Sequence, residues 1–285
     1  MANKGNIIAL LRKEAGYTQK SLAKALNVTD KAISKWERGI CLPETSLLPR
    51  LSRLLDADIE LLLSKGDPAD EWEGVIDLRN YEIDLSQVIY DKPQVYLFLS
   101  HFLLLGIKRI HVFTSNENRH YLSSALFRTL GFEFDSRLPS DKNLMILRTP
   151  CFLFGSDLTR QFQTAMVTGN PTKLVLENGA ETFLFCPKSY FELYERNPEL
   201  FSKKAESRTL GRGMMCITMD NADKNIEVAQ FIQMYQRHAQ IPIFSLEEIA
   251  VKQSILTVGQ ALRLAEKKPY YVLLSKWLKK FDSKP

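Results

Sequence analysis

At 285 residues the chain is long for one domain and comfortable for two. An apolar share of 45% beside 25% charged residues is that of an ordinary globular protein with enough material for a second core. No apolar run reaches membrane-spanning length, Met1 to Gly5 leads straight into a helix rather than a signal segment, and Cys41, Cys151, Cys186 and Cys216 show no paired spacing, so neither a disulfide framework nor a zinc site is suggested and a cytoplasmic location is expected. The net charge of +5 is unevenly spread: residues 1–66 carry 11 Lys and Arg against 7 Asp and Glu, so most of the surplus sits at the N-terminus. A counterion-releasing surface for nucleic acid belongs there.

A first helix is expected over Ile7 to Ala15. From Thr18 to Arg38 the sequence reads as two short helices joined by a tight apolar turn. Thr18 and Thr29 are the hydroxyl residues expected at helix N-caps, and Leu22, Ala23, Leu26, Val28, Ile33 and Trp36 recur at helical spacing on inward faces. The polar remainder suits a helix lying in the DNA major groove: Asp30, Lys31 and Ser34 toward base edges, Gln19, Lys35 and Arg38 toward phosphates, with Thr29 counted in the same DNA-binding set. Two more helices follow, Pro43 to Leu55, with Pro43 in a first turn that tolerates proline, and Ile59 to Ser64. A Gly stop and a polar connector, Gly66-Asp67-Pro68, then divide a first domain, 1–66, from a second, 72–285.

Beyond the connector, strand and helix patterns alternate. Strands are expected at Gly74 to Leu78, Arg109 to Thr114, Leu144 to Leu147, Lys173 to Leu176 and Thr182 to Phe185. Helices are expected at Pro93 to Leu105, Arg119 to Leu130 and Leu158 to Val167, and an amphipathic helix over Lys188 to Lys204. This order predicts a mostly parallel sheet covered on both faces, then a helical last third: Asn221 to Ala239, Ser245 to Lys252, Val258 to Lys267 and Tyr270 to Phe281. His101, His111, His120 and His238 share no ligand spacing, so each reads as a partnered or surface group.

The stretch 6–65, with its Ile-Ser-Lys-Trp-Glu-Arg-Gly run at 33–39, resembles the phage-repressor (Xre-type) helix-turn-helix family. That resemblance implies a five-helix DNA-binding domain. Residues 72–281 resemble bacterial glucose-1-phosphate thymidylyltransferases with a central deletion, through Tyr90-Asp91-Lys92-Pro93, Phe154-Gly155-Ser156-Asp157-Leu158, Leu210-Gly211-Arg212-Gly213 and Ser245-Leu246-Glu247-Glu248-Ile249-Ala250, with Gly211 to Glu248 expected as helix throughout. It implies a Rossmann-like α/β nucleotidyltransferase fold with a helical C-terminal part.

The chain departs from that second pattern where the chemistry lies. The resembled enzymes cradle a triphosphate on a loop G-G-x-G-T-R-L, since only glycine lets backbone N–H groups come close enough. Here the segment Asp77 to Gln87 has no glycine, and Asp84 stands where a phosphate-binding lysine is implied. The positions of two metal-holding aspartates fall on the stretch Arg148-Thr149-Pro150-Cys151 and on Thr218. No catalytic residue, cofactor or metal ligand is therefore assigned, and the chain is expected not to be an enzyme.

What survives matches, by resemblance, the residues of a second nucleotide-sugar site used for feedback control: Leu103, Leu104, Phe154, Gly155, Asp157, Gly211, Arg212, Ser245, Glu248 and Ile249. A ring for a base, a guanidinium for a diphosphate and carboxylates for sugar hydroxyls form a coherent set. The residues alone equally allow Gly155, Gly211 and Gly213 to serve turns, Arg212 an ion pair, and Glu247 with Glu248 the start of a helix. The expectation is a regulator that binds a double-stranded operator as a homodimer or tetramer, away from membranes, and senses a nucleotide sugar such as a thymidine diphosphate hexose. Its alternatives are a transferase of altered chemistry and a body that only dimerises.

Overall fold

The computed structural model describes residues 7–57, 59, 62, 71–114, 121–135, 137–139, 141–155, 158–176, 179–210 and 214–282, except the side chains of residues 10, 14, 281 and 282. The chain divides into two compact units, Met1–Trp72 with Thr159–Gly169, and Glu73–Leu158 with Asn170–Pro285.

The first unit begins with α1 (Ile7–Glu14), α2 (Gln19–Leu26) and α3 (Asp30–Glu37). Thr18 caps α2, accepting a bond from the Ser21 amide while Ser21 returns one to the Thr18 amide. Thr29 caps α3 by accepting from the Ala32 amide. Between them Asn27 adopts the left-handed conformation (φ +58°) that a short polar side chain tolerates, and the Val28 amide closes back on the Ala23 carbonyl. Gly39 (φ +66°) ends α3 in the same way. The core is Ile7, Ile8, Leu11, Leu22, Leu26, Ile33 and Trp36, completed by Leu51 and Leu55 of α4 (Leu48–Leu55). Pro43 lies outside any helix: a 3₁₀ turn, Thr45–Leu47, intervenes, and the proline in the first turn of α4 is Pro49. Of the expected Ile59 to Ser64 helix, residues 59 and 62 are helical, and the rest, with the connector, lies outside the described residues.

The second unit holds β1 (Trp72–Asp77), a small hairpin of β2 (Val88–Ile89) and β3 (Lys92–Pro93), α5 (Gln94–Leu104), β4 (Arg109–Phe113), α6 (Ala125–Thr129), β5 (Glu133–Asp135), β6 (Asn143–Leu147) and β7 (Cys151–Phe154). Then come α7 (Leu158–Val167), most of which segregates with the first unit, β8 (Thr172–Val175), β9 (Glu181–Cys186), α8 (Phe191–Arg196), α9 (Pro198–Lys204), β10 (Glu206–Thr209) and β11 (Met215–Thr218). The C-terminal helices are α10 (Ala222–Ala239), α11 (Leu246–Lys252), α12 (Val258–Ala265) and α13 (Tyr271–Asp282).

Seven strands form one sheet in the order β10-β8-β9-β6-β1-β4-β5. The β1–β4, β4–β5 and β8–β10 pairs are parallel, and β9 alone runs antiparallel to its neighbours β6 and β8, so among the described pairs the sheet is mixed with a parallel majority. The short turn between β8 and β9, closed by the Leu176 amide on the Ala180 carbonyl, makes that antiparallel pair; no crossover helix fits so few residues. Helices do cover both faces. Val75, Leu144, Ile146 and Leu184 pack with Phe191, Tyr194 and Phe201 of α8 and α9, while Phe102 of α5 meets Phe183 edge-on. Nearly every residue of α5 is buried, as its almost uninterrupted apolar sequence requires. The Lys188 to Lys204 stretch is not one helix: a 3₁₀ turn, α8 and α9 are separated at Asn197, whose side chain caps α9 ahead of Pro198. Likewise Gly211 to Glu248 is not helical throughout, since β11 precedes α10.

Gly74 lets β1 lie tight against Phe102 of α5 and Ile110 of β4. A β-carbon there would stand 2.5 Å from Ile110 Cδ1 and 2.7 Å from Phe102 Cδ1. Gly74→Ala is expected to destabilise the protein by about 1–3 kcal/mol through overpacking, read as a lower midpoint in urea.

Candidate nucleic-acid interface and effector site

The inner face of α3 buries Ile33 and Trp36, leaving Thr29, Asp30, Lys31, Lys35 and Arg38 exposed and Ser34 half-buried. Three of these side chains make local bonds: Thr29 accepts from the Ala32 amide, Asp30 accepts from the Lys31 amide, and Arg38 Nε donates to the Ser34 carbonyl. Lys31 and Lys35 extend from the same helix, so the exposed row combines two ammonium groups and a guanidinium with short hydroxyls, the set that meets phosphates and base edges.

Gln19 is placed differently. Its amide donates to Glu37 Oε2 (2.7 Å), and Glu37, almost fully covered, is held at 2.5 Å by Arg12 Nε. Arg12 also donates to the Tyr17 carbonyl (2.6 Å). This buried ion pair joins α1 to α3 and ties down the start of α2. The sequence carried a signal for it, since Arg12 lies four residues after Ile8 on the buried stripe of α1, where an unpaired charge would cost several kcal/mol.

In the second unit the proposed effector residues do not form one accessible set. Leu103 is fully buried in α5, and Ile249 and Glu248 are buried in α11. Ser245 is buried as the N-cap of α11, accepting from the Glu248 amide and donating to Glu247. Glu248 is paired with Lys252 (2.5 Å), and burial raises its carboxyl above the ordinary range against the pull of that lysine. Leu104, Phe154 and Gly155 retain some surface. Phe154 is wedged among Tyr235, Phe231 and Phe244, with ring centroids 4.8, 5.3 and 6.0 Å away. Gly155 lies tight against Met214, leaving no room for a β-carbon, which accounts for a glycine there without a ligand. Asp157, Gly211, Arg212 and Gly213 lie outside the described residues.

The Tyr90-Asp91-Lys92-Pro93 stretch is the β2–β3 hairpin, with Tyr90 at φ +63° in its turn. Lys92 is fully buried. Its ammonium donates to Asp91 (2.6 Å) and to Gln236 Oε1 of α10 (3.0 Å) and sits 4.4 Å from the centre of the Tyr270 ring; Gln236 in turn donates to Asp91 (2.8 Å). Burial lowers the affinity of Lys92 for its proton, opposed chiefly by Asp91. Beside it, Glu247 receives bonds from Lys268, Tyr270 and Ser245, all at 3.0 Å. Sequence reasoning missed this knot, because its members are scattered from Asp91 to Tyr270.

Where the resembled enzymes hold metal, the two stretches do meet: Cys151 pairs with Thr218 in the antiparallel β7–β11 ladder. They bring a thiol and a hydroxyl together rather than carboxylates, and the neighbouring Cys216 with burial holds the Cys151 thiol well above its ordinary range. In the segment after β1, Arg79 forms a two-bond pair with Asp77 (2.7 and 2.8 Å) and lies over Phe113. Asp84 accepts from the amide and hydroxyl of Ser86. Among the described residues no His, Cys, Asp or Glu cluster could hold a metal ion, and no helix is long and apolar enough to cross a membrane.

A family model described as helix-turn-helix (HTH_3) matches residues 8–62. The HTH-type transcriptional regulator DicA of Escherichia coli (strain K12) is 31% identical over 93 residues, which cover 32% of this chain and 69% of DicA. The chain belongs to the HTH-type transcriptional regulators. The regulator also matches ImmR of Bacillus subtilis (strain 168), 37% identical over 73 residues, or 26% of this chain and little more than half (56%) of that relative. Both matches are confined to about a third of the chain or less. Among solved structures, a putative glucose-1-phosphate thymidylyltransferase from Bacillus anthracis in complex with a sucrose overlaps 56% of this regulator and 94% of that chain, at 8% identity and a TM-score of 0.43. A UDP-glucose pyrophosphorylase from Acinetobacter baumanii overlaps 65% and 99%, at 9% identity and 0.44. Values this low describe partial backbone overlap and carry no chemistry.

His111 and His101 are both buried and bonded. His111 Nε2 lies 2.6 Å from Glu73 Oε2, and His101 Nε2 lies 3.2 Å from the Leu153 carbonyl of β7. His238 is exposed, and His120 lies outside the described residues. Burial pushes His101 down to about 4 from an ordinary 6.5, so the folded chain holds it neutral. A depressed folded value means that its contribution is intact above the ordinary pKa and is lost as pH falls toward the folded one. Between pH 7 and 4 the wild type is expected to lose about 3 kcal/mol that His101→Gln does not lose, measured by urea unfolding of both at several pH values.

Proposed function

We propose that this regulator reads a two-fold duplex operator with α3, and that its α/β body senses a nucleotide sugar, such as a thymidine diphosphate hexose, without synthesising one. The observation that carries the first half is the division of α3 into a buried face, Ile33 and Trp36, and an exposed row that includes Lys31, Lys35 and Arg38. Within that row Thr29, Asp30, Lys31 and Ser34 address bases, and Lys35 and Arg38 address phosphates. Gln19, engaged by Glu37, serves as a link between α2 and α3 that stays close to the backbone of the duplex.

The second half draws support from what faces the place of reaction. A thiol opposite a hydroxyl at Cys151 and Thr218, and a glycine-free segment with Asp77 paired to Arg79, offer neither a metal clamp nor a phosphate cradle. Sensing then leans on Leu104, Phe154 and Gly155 together with Asp157, Gly211 and Arg212. Leu103, Ser245, Glu248 and Ile249, all buried, serve the packing of α5 and α11 instead.

Fluorescence anisotropy with duplexes selected from a random pool tests the DNA half. Arg38→Ala should weaken all duplexes alike and reduce the salt slope by about 1, while Lys31→Ala should relax sequence preference by about tenfold. Unchanged binding in both variants would overturn the docking. For the body, thermal shift with a panel of nucleotide sugars should show stabilisation by at least one of them, abolished by Arg212→Ala. Magnesium-dependent release of pyrophosphate from thymidine triphosphate and a sugar phosphate would overturn the sensing assignment instead.

A further inference from the structure

Helix α10 is packed on one side and exposed on the other. Its inner face buries Val228, Ile232 and Gln236 and lays Phe231 and Tyr235 against Phe152 and Phe154. Its outer face presents Asp223, Ile226, Gln230, Met234 and Arg237, all exposed, with Ile226 and Met234 at 55% and 53% of their full area. At about 100° per residue these five fall within about 40° of one line along the helix. Two exposed apolar side chains on one line, with opposite charges at its two ends, give a face whose pattern a partner could match. The hairpin strand β2 packs against α10, and its neighbourhood adds two more exposed apolar side chains, Val88 and Tyr90.

The pattern is complementary to itself in reverse. Counted outward from Gln230, Ile226 and Met234 stand at equal distances on either side, and so do Asp223 and Arg237. A two-fold axis through Gln230 that sets two α10 helices antiparallel therefore brings Ile226 level with Met234 of the second copy, and Asp223 level with Arg237. The parallel alternative would oppose aspartate to aspartate and arginine to arginine, which is unfavourable. We propose that the outer face of α10 is an isologous interface on which a second copy of this chain docks antiparallel, centred on Gln230. This deepens the two-fold reading given above and rests on it only for the choice of a like partner.

Sedimentation of the full chain without DNA tests the face independently of operator binding. The wild type is expected to self-associate at micromolar concentration, and Ile226→Glu with Met234→Glu to weaken that association by about tenfold or more. Asp223→Arg and Arg237→Asp should each weaken it by about fivefold, and the two together should restore it, since each copy then offers the same pairs with signs exchanged. In a Cys41→Ser background, Gln230→Cys should cross-link to its own counterpart on mild oxidation, while Val272→Cys, exposed on α13, should not. A monomeric wild type, a combined charge exchange that fails to restore association, or equal cross-linking at both positions would overturn the proposal, whatever the DNA experiments show.

Discussion

A lysine ammonium with none of its side chain exposed must have all its donors occupied or give up its proton, and Lys92 meets this demand with partners from three parts of the body. Asp91 supplies the opposite charge from the same hairpin, Gln236 of α10 supplies a carbonyl oxygen, and the ring of Tyr270 supplies a π face. Removing any one leaves a desolvated charge short of a partner. Gln236 also donates to Asp91 and accepts from the Ile243 amide, so the same amide fixes the chain as it leaves α10. Through these bonds the hairpin, α10 and the entry to α13 are held in one arrangement. The aromatic packing of Phe152 and Phe154 against Phe231 and Tyr235 depends on that arrangement.

A smaller version of the same device organises the helix-turn-helix unit. Arg12 and Glu37 neutralise one another between α1 and α3, and Gln19 closes the remaining carboxylate oxygen. The orientation of α3 is thus set by ionic bonds with defined direction in addition to the apolar contacts of Ile33 and Trp36. A helix that must present side chains to a groove gains from such fixing, because base contacts lose their value when the helix can roll. The N-caps at Thr18 and Thr29 act at the same place, since they fix where α2 and α3 begin.

Local chemistry in the sequence marked these helices well. Thr18, Thr29, Asn221 and Ser245 occupy the caps their residue types suggest, and the limits of α7 follow its periodicity. What escaped was decided by distant partners. Cys151 to Phe154 and Met215 to Thr218 are strands only because they pair with each other across some sixty residues, and β9 runs antiparallel because a tight turn precedes it. Pro43 looked like a helix start by composition, but the helix waits for Pro49. The effector residues rest on a resemblance of motifs, which is blind to coverage. Ser245 and Glu248 carry suitable groups for a sugar, yet a cap bond and Lys252 already use them. The exposed row of α3 was more legible because exposure there follows directly from helical phase.

The amide at Gln236 has one further consequence. Because it accepts from a cation and donates to an anion at once, neither an acidic nor a basic side chain can replace it without setting like charges together. The inward side of α10 is therefore chemically frozen, whereas Ile226, Gln230 and Met234 on its far side are released from any duty to the fold. Relatives descended from a common ancestor could exchange those three freely, changing which chains recognise one another while the architecture behind them stood still.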